Sequence, residues 1–303
     1  MIGSNGIRGS YYLFGVDHNF PTDRFANFMS DVGIPGVDLA DIDNALQTRF
    51  FQKNPDGTPK ERWELDKVQV SCPPEKIREH LAYCGFINET RPISKAYTYA
   101  AWPGALVTRA AVRLDDLVSA WNNGVRWEKT IVFGGKRPLQ TDKEDYNQCC
   151  SAFGVKEEER DSLLSHFREA WETFLNPPTE LTMMEWGWFV STIEGSSDWR
   201  NGANATFMDA PMKPPVKEGG QPIRPNTEDT IVEWLKGNPK PGSMLLSSGA
   251  PYGMAMDEAF QMLLEPHGFT VETFGHSAPD LPIENLMREV AGTVNHIRRA
   301  RKL

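Results

Sequence analysis

The sequence predicts an α/β protein: a Rossmann-like, mostly parallel sheet with helices on both faces, plus an N-terminal accessory segment and a helical insertion. Two observations predict it. From about residue 95 to the end, β-branched and aromatic runs alternate with segments whose apolar residues recur at helical spacing, and such alternation favours parallel strands joined by crossover helices. The chain of 303 residues is also long enough to bury a sizeable core around such a sheet.

The elements follow in order. KAYTYAA reads as the first strand. In LVTRAAVRLDDLVSAWNNG, Val107, Ala110, Leu114, Leu117, Val118 and Trp121 mark one face of a helix that Gly124 stops. KTIVF is the second strand. A largely helical stretch covers roughly 143–190, including EEERDSLLSHFREAWETFL and TELTMMEWGWFV. ANATFMDA, SMLLSSG and FTVETFG read as strands, with helices NTEDTIVEWLKG and MAMDEAFQMLLEPHG between them. The last helix, PIENLMREVAGTVNHIRRARK, places Ile283, Leu286, Met287, Val290 and Ile297 on one face. Residues 1–90 form an accessory or cap segment, with an exposed turn at Lys53–Trp63 and a helix opening at Cys72-Pro73-Pro74-Glu75 whose stripe is Ile77, Leu81 and Cys84. Residues 91–303 form the α/β domain, interrupted by the insertion at about 141–178.

Bulk properties narrow the function. A net charge of −9 argues against a general nucleic-acid binder, which needs a basic face. No apolar run approaches the roughly 20 residues that cross a bilayer, and no secretory signal is visible. The four cysteines form no CxxC pair and read as reduced thiols of a cytoplasmic protein. Six scattered histidines give no zinc signature, so no metal is expected.

Open α/β sheets bind ligands beyond the carboxyl ends of their strands, which directs attention to AWPGAL, GGKRP, DAPMKP, SSGAPYG and GHSAP. In GGKRP, Gly134 and Gly135 let a ligand approach the backbone, and Lys136 and Arg137 add charge for an anionic group. A tight turn with solvated bases is the alternative. Ser247 and Ser248 leave a strand toward a helix start, where hydroxyls can position a ligand or simply cap the helix; the GxSxG elbow of a nucleophilic serine is absent. Asn226 and Thr227 open a helix, as caps or as part of the same site. Tyr252 can stack on a ring or donate its hydroxyl. Glu185 (or Glu180) and His276 are the acid–base candidates, against the simpler reading of surface glutamates and a structural histidine. Met183, Met184, Trp186 and Trp188 read as core or as a pocket wall.

RLDDLVSAWNNG followed by KTIVFGG resembles the YdcF/SanA/ElyC-type domain family, whose function is poorly defined. Arg113, Gly124, Gly134 and Gly135 occupy the places of its arginine-led helix and its strand ending in GG. Glu180 or Glu185 corresponds to its glutamate-bearing helix, Asn226-Thr227-Glu228-Asp229 to its helix opening, and Ser247, Ser248 and Tyr252 to the start of its strand-end motif. Gly253 and Met256 stand where the family has histidine and arginine. The resemblance covers about 95–300 and implies a Rossmann-like fold with a pocket at the strand ends; it supplies no reaction.

The expectation is a small-molecule-binding protein, an enzyme of transferase or hydrolase type. Its ligand is anionic or nucleotide-like, S-adenosylmethionine included by analogy with similar folds. The alternative is a non-catalytic sensor or scaffold whose site has lost the family's histidine and arginine.

Overall fold

The computed structural model describes residues 13–14, 19–51, 72–140, 142–160, 178–191, 199–200, 204–215 and 222–300. The turn expected at Lys53–Trp63 and the stretch 161–177 of the expected insertion lie outside these residues.

Five strands form one parallel sheet: β1 (Ala96–Pro103), β2 (Arg126–Gly135), β3 (Asn204–Ala210), β4 (Ser243–Ser247) and β5 (Thr270–Phe274), in the order β3-β2-β1-β4-β5. The α/β class read from the sequence is therefore the fold. In register, Pro103 stands beside Phe133, and Gly134 and Gly135 stand beside Asp209 and Ala210. The carboxyl ends of β2 and β3 thus finish level with each other, two residues beyond the end of β1.

Two compact units divide the chain. One comprises Arg91–Ser247 and Leu263–Glu272 and holds nearly all of the sheet. Its helices are α4 (Val107–Asn122), α5 (Tyr146–Ala152), α6 (Glu180–Val190) and α7 (Thr227–Leu235). Successive strand residues point to opposite faces, and the aromatic contacts show which helices cover each. Trp102 meets Phe153 and Trp188 with ring centroids 6.4 and 6.5 Å apart, and its indole N–H donates to Ala110 O at 2.9 Å. On the opposite face Tyr99 and Phe133 pack edge-on against Trp234 of α7 at 5.4 and 5.8 Å. Helices therefore lie on both faces, as the sequence predicts.

The other unit gathers the described part of Met1–Thr90 with Ser248–Met262 and Thr273–Leu303. Its helices α1 (Asp23–Asp31), α2 (Leu39–Phe50), α3 (Pro74–Tyr83), most of α8 (Gly253–Leu264) and α9 (Ile283–Ala300) share an apolar core of Phe25, Phe28, Leu46, Leu81, Met254, Val290 and Val294, among others. Polar ties lock it. Gln47 donates to Ala291 O at 3.0 Å. The buried Asp43 accepts from Arg298 at 3.0 Å and from Asn295 at 3.2 Å. Arg78 donates to the carbonyls of Pro279 and Leu281.

Candidate functional site

The site begins where β2 runs out of side chains. A Cβ on Gly134 would stand 2.7 Å from Leu181 Cα, so only glycine lets α6 pack against the strand end. Two backbone hydrogen bonds fasten the flanking loops to this end, Gly104 N to Phe133 O (2.7 Å) and Lys136 N to Ala210 O (3.2 Å). Arg137 O then accepts from Glu180 N at 2.9 Å. Thr179 caps α6 through its hydroxyl, which accepts from Thr182 N, and Glu180 becomes the first residue of that helix.

The cavity over this floor is about 440 Å³. It is lined by Gly104, Gly134 and Gly135, by Arg137 and Glu180, and by a rim from Lys213, Ile223–Thr227 and Thr230. Its size suits a small molecule. Lys213 and Ile223 exchange backbone hydrogen bonds of 2.8 and 3.0 Å, which brings the segment after β3 alongside the segment that leads into α7. Lys213 Nζ lies 2.6 Å from Asp229. Arg224 is exposed and makes no ion pair among the described residues.

Arg137 is nearly buried, at 8 % exposure. Its guanidinium takes the fully buried Glu144 in a two-pronged contact, Nη1 to Oε2 at 2.6 Å and Nη2 to Oε1 at 3.0 Å. Glu144 also accepts from Gln140 N (2.9 Å) and from Val107 N (3.2 Å), where it serves as the cap α4 lacks in its own sequence. Burial opposes the charge on Arg137, but the carboxylates of Glu144 and Glu180 outweigh it and hold the pKa above the usual value. Glu180 receives only one contact from Arg137, at 3.4 Å. Its carboxyl pKa is raised, chiefly because burial penalises the charged form; Arg137 works against that shift and Glu144 adds to it. The walls leave it little room. Cβ atoms at Gly104 and Gly135 would stand 2.6 Å from its Cδ and 3.4 Å from its Oε2. Glu180 is a carboxyl of raised pKa, still 16 % exposed, opening on a cavity. That is the arrangement from which a side chain can give or take a proton.

The sequence-predicted residues separate into groups. Gly134, Gly135, Arg137, Asn226 and Thr227 line this one cavity. Asn226 is there chiefly as a cap: its Oδ1 accepts from Asp229 N at 3.0 Å, and its own backbone N donates to Asp229 Oδ2 at 2.7 Å. Arg113 is buried behind the site and donates to the carbonyls of Pro103 and Gly104 at 3.0 and 2.9 Å. Lys136 is outside the lining and pairs with Asp209 at 3.3 Å. Glu185 is also outside it, half-buried, with its carboxyl pushed up by burial and by the nearby Asp209 carboxylate. Ser247 is fully buried and donates to Arg113 O at 2.9 Å. Strand order reverses between β1 and β4, the place where such sheets usually bind ligands, and Ser247 ends β4 there.

Ser248, Tyr252 and His276 belong to the other unit. There Ser248 N donates to Phe274 O at 2.8 Å and Ala250 N to His276 O at 2.9 Å. A Cβ on Gly249 would collide with the His276 ring at 2.5 Å, so the SSGAPYG and GHSAP loops pack directly on each other. At Gly253 a Cβ would stand 2.6 Å from Ser248 O, which excludes a histidine from this backbone.

Glu144, Lys213, Arg224 and Gly104 are not singled out by the sequence. Gly104 and Lys213 do fall in two of the strand-end loops, AWPGAL and DAPMKP. Glu144 sits in a polar stretch, TDKEDYNQ, at the start of the expected helical insertion, where nothing sets it apart from its charged neighbours.

No family model, curated protein or solved structure matches this chain.

Proposed function

We propose that this protein is a small-molecule-binding enzyme of transferase or hydrolase type that acts on an anionic or nucleotide-like ligand at the carboxyl ends of β1 and β2. The observation that carries the reading is Glu180, a carboxyl of raised pKa in a cavity whose walls are bare at three glycines and whose rim carries Arg224 and Lys213. Glu180 acts as the general acid or base. The glycines admit the ligand to the backbone, and Arg224 with Lys213 faces its charge. Arg137 does not grip the ligand, because its donors are committed to Glu144 and Glu180. The resemblance to the YdcF/SanA/ElyC-type family supports the location, and a compound such as S-adenosylmethionine is included by analogy of fold alone. Free, buried cysteines suit a reducing, cytoplasmic setting. Among the described residues no helix is long and apolar enough to cross a membrane.

A second reading, a non-catalytic sensor or scaffold, draws on Gly253, where the family's histidine has no room. The test is a thermal-shift panel of nucleotides and S-adenosyl compounds, followed by product analysis of the stabilising compounds. Stabilisation lost in Arg224→Ala, with turnover lost in Glu180→Gln, supports the enzyme. Stabilisation without turnover supports the sensor, and no stabilisation by any compound sets both aside.

A further inference from the structure

The cavity sets Glu180 against its cationic rim across a single glycine. The Cβ position of Gly135 lies 3.4 Å from Glu180 Oε2 and 2.9 Å from Pro225 Cγ, and Pro225 directly follows Arg224. Arg224, Lys213 and Glu180 line the same cavity, so an anion seated at Arg224 and Lys213 enters the space on which the Glu180 carboxyl opens. Arg137 is the nearest cation to that carboxylate, but Glu144 holds it through both terminal nitrogens. Arg113 is directed to the carbonyls of Pro103 and Gly104. Lys213 already answers Asp229. Lys136 pairs with Asp209, which faces Glu185 further along α6. No histidine is among the lining residues to take up charge instead.

Like charges that share this half-open cavity repel each other, and a carboxylate beside a bound anion relieves the repulsion by taking up a proton. Resting on the reading of this cavity as a ligand site, we propose that an anion binds at Arg224 and Lys213 together with one proton, which Glu180 takes up. The ligand class is then a small molecule bearing a phosphate, sulfate or carboxylate group. Its arrival leaves Glu180 as a neutral acid, able to pass that proton to an oxygen of the ligand. Burial has already brought the carboxyl part of the way toward its protonated form.

Calorimetric titration with sulfate tests this, because sulfate itself does not titrate between about pH 5 and about pH 8, and buffers of different ionisation enthalpy reveal protons taken up on binding. The expected result is an uptake approaching one proton per sulfate in the wild-type protein. Affinity should fall by up to about tenfold per pH unit through the Glu180 titration. Glu180→Gln should bind sulfate with no buffer dependence and hardly any pH dependence. Arg224→Ala, an exposed change that leaves the fold intact, should lose the sulfate heat. Binding with the same heat in every buffer would overturn the coupling while leaving the ligand site standing. No sulfate heat even near pH 5 would remove both the anion seat and the reading on which it rests.

Discussion

Glu144 meets Arg137 with both carboxylate oxygens, at 2.6 and 3.0 Å, whereas Glu180 reaches the same guanidinium through one contact of 3.4 Å. The unequal division matters chemically. Glu144 is fully buried and also holds two backbone amides, so it is the principal partner of Arg137. Glu180 is left with partial compensation and an opening to the cavity, and so remains free to change its protonation state.

Glu144→Gln keeps the shape and removes the charge. Breaking a buried pair from one side typically costs about 3–5 kcal/mol, because the other charge is stranded. Here Glu180 stands ready as a substitute, so the loss should fall at the low end of that range, and Glu180 should titrate closer to an ordinary carboxyl. Urea unfolding measures the first effect. The double variant Glu144→Gln/Glu180→Gln should cost more than the two single changes together. Simple additivity would mean that the two carboxylates do not share Arg137.

How much of this was legible in the sequence depends on the range of each signal. The helix 107–122, the strand ending at Gly135 and the helix opened by Asn226 declared themselves through local period and capping chemistry. Gly134 and Gly135 pointed to the site because bare backbone at a strand end is a local feature. The assignment of charge was not local. Lys136 and Arg137 are neighbours in sequence, yet one pairs with Asp209 on β3 and the other is buried against Glu144 and Glu180. Nothing in KRP distinguishes them. Choosing Glu180 over Glu185 required knowing which turn of α6 faces β2. Arg224 could not be found without the backbone bridge between Lys213 and Ile223. Within the first ninety residues only the helix opened at Pro73-Pro74 showed a clear stripe, Ile77, Leu81 and Cys84, and the core around it draws on α9, about two hundred residues further along the chain.

The two adjacent glycines should respond differently to alanine. At Gly134 the added methyl meets Leu181 Cα at 2.7 Å, and a helix backbone must move. Overpacking of this kind costs about 1–3 kcal/mol. At Gly135 the methyl meets the ring of Pro225 at 2.9 Å and Glu180 Oε2 at 3.4 Å, groups on the cavity wall that can shift. Gly134→Ala should lower the unfolding midpoint more than Gly135→Ala does, while Gly135→Ala should weaken ligand or sulfate binding at little cost in stability. The reverse order in urea titrations would contradict this packing.

All four cysteines are free and buried. Burial pushes the Cys84 thiol up to about 12, and burial, then Glu144, pushes Cys149 higher still. Thiolates are the reactive form. A disulfide-exchange reagent at neutral pH should therefore label the native protein slowly and the urea-unfolded protein rapidly, with four equivalents consumed on unfolding. Fast labelling of the native protein at Cys84 or Cys149, located by peptide mapping, would show that these positions open readily.

The pH dependence of stability isolates Glu180, and its sign runs opposite to that of a salt-bridged carboxylate. Its folded pKa lies above the ordinary value of 4.5, with burial as the largest cause. In the window between those two values the folded protein holds the proton more tightly than the unfolded chain does, so stability falls as pH rises through it. Below the window both states are protonated and Glu180 contributes no slope; above it the penalty is constant. Glu185 shifts in the same direction, through burial and Asp209, so the wild-type curve mixes the two groups. Subtracting the curve of Glu180→Gln removes the mixture. Glutamine also loses the ionic part of the 3.4 Å contact with Arg137, an attraction that only the ionised carboxylate makes and that the raised pKa already contains. The stability of Glu180→Gln relative to wild type should therefore rise from about pH 4.5 upward and then level off. A flat difference across that range, measured by urea unfolding at closely spaced pH, would mean that Glu180 titrates as an ordinary surface acid and that the cavity gives it no special charge state.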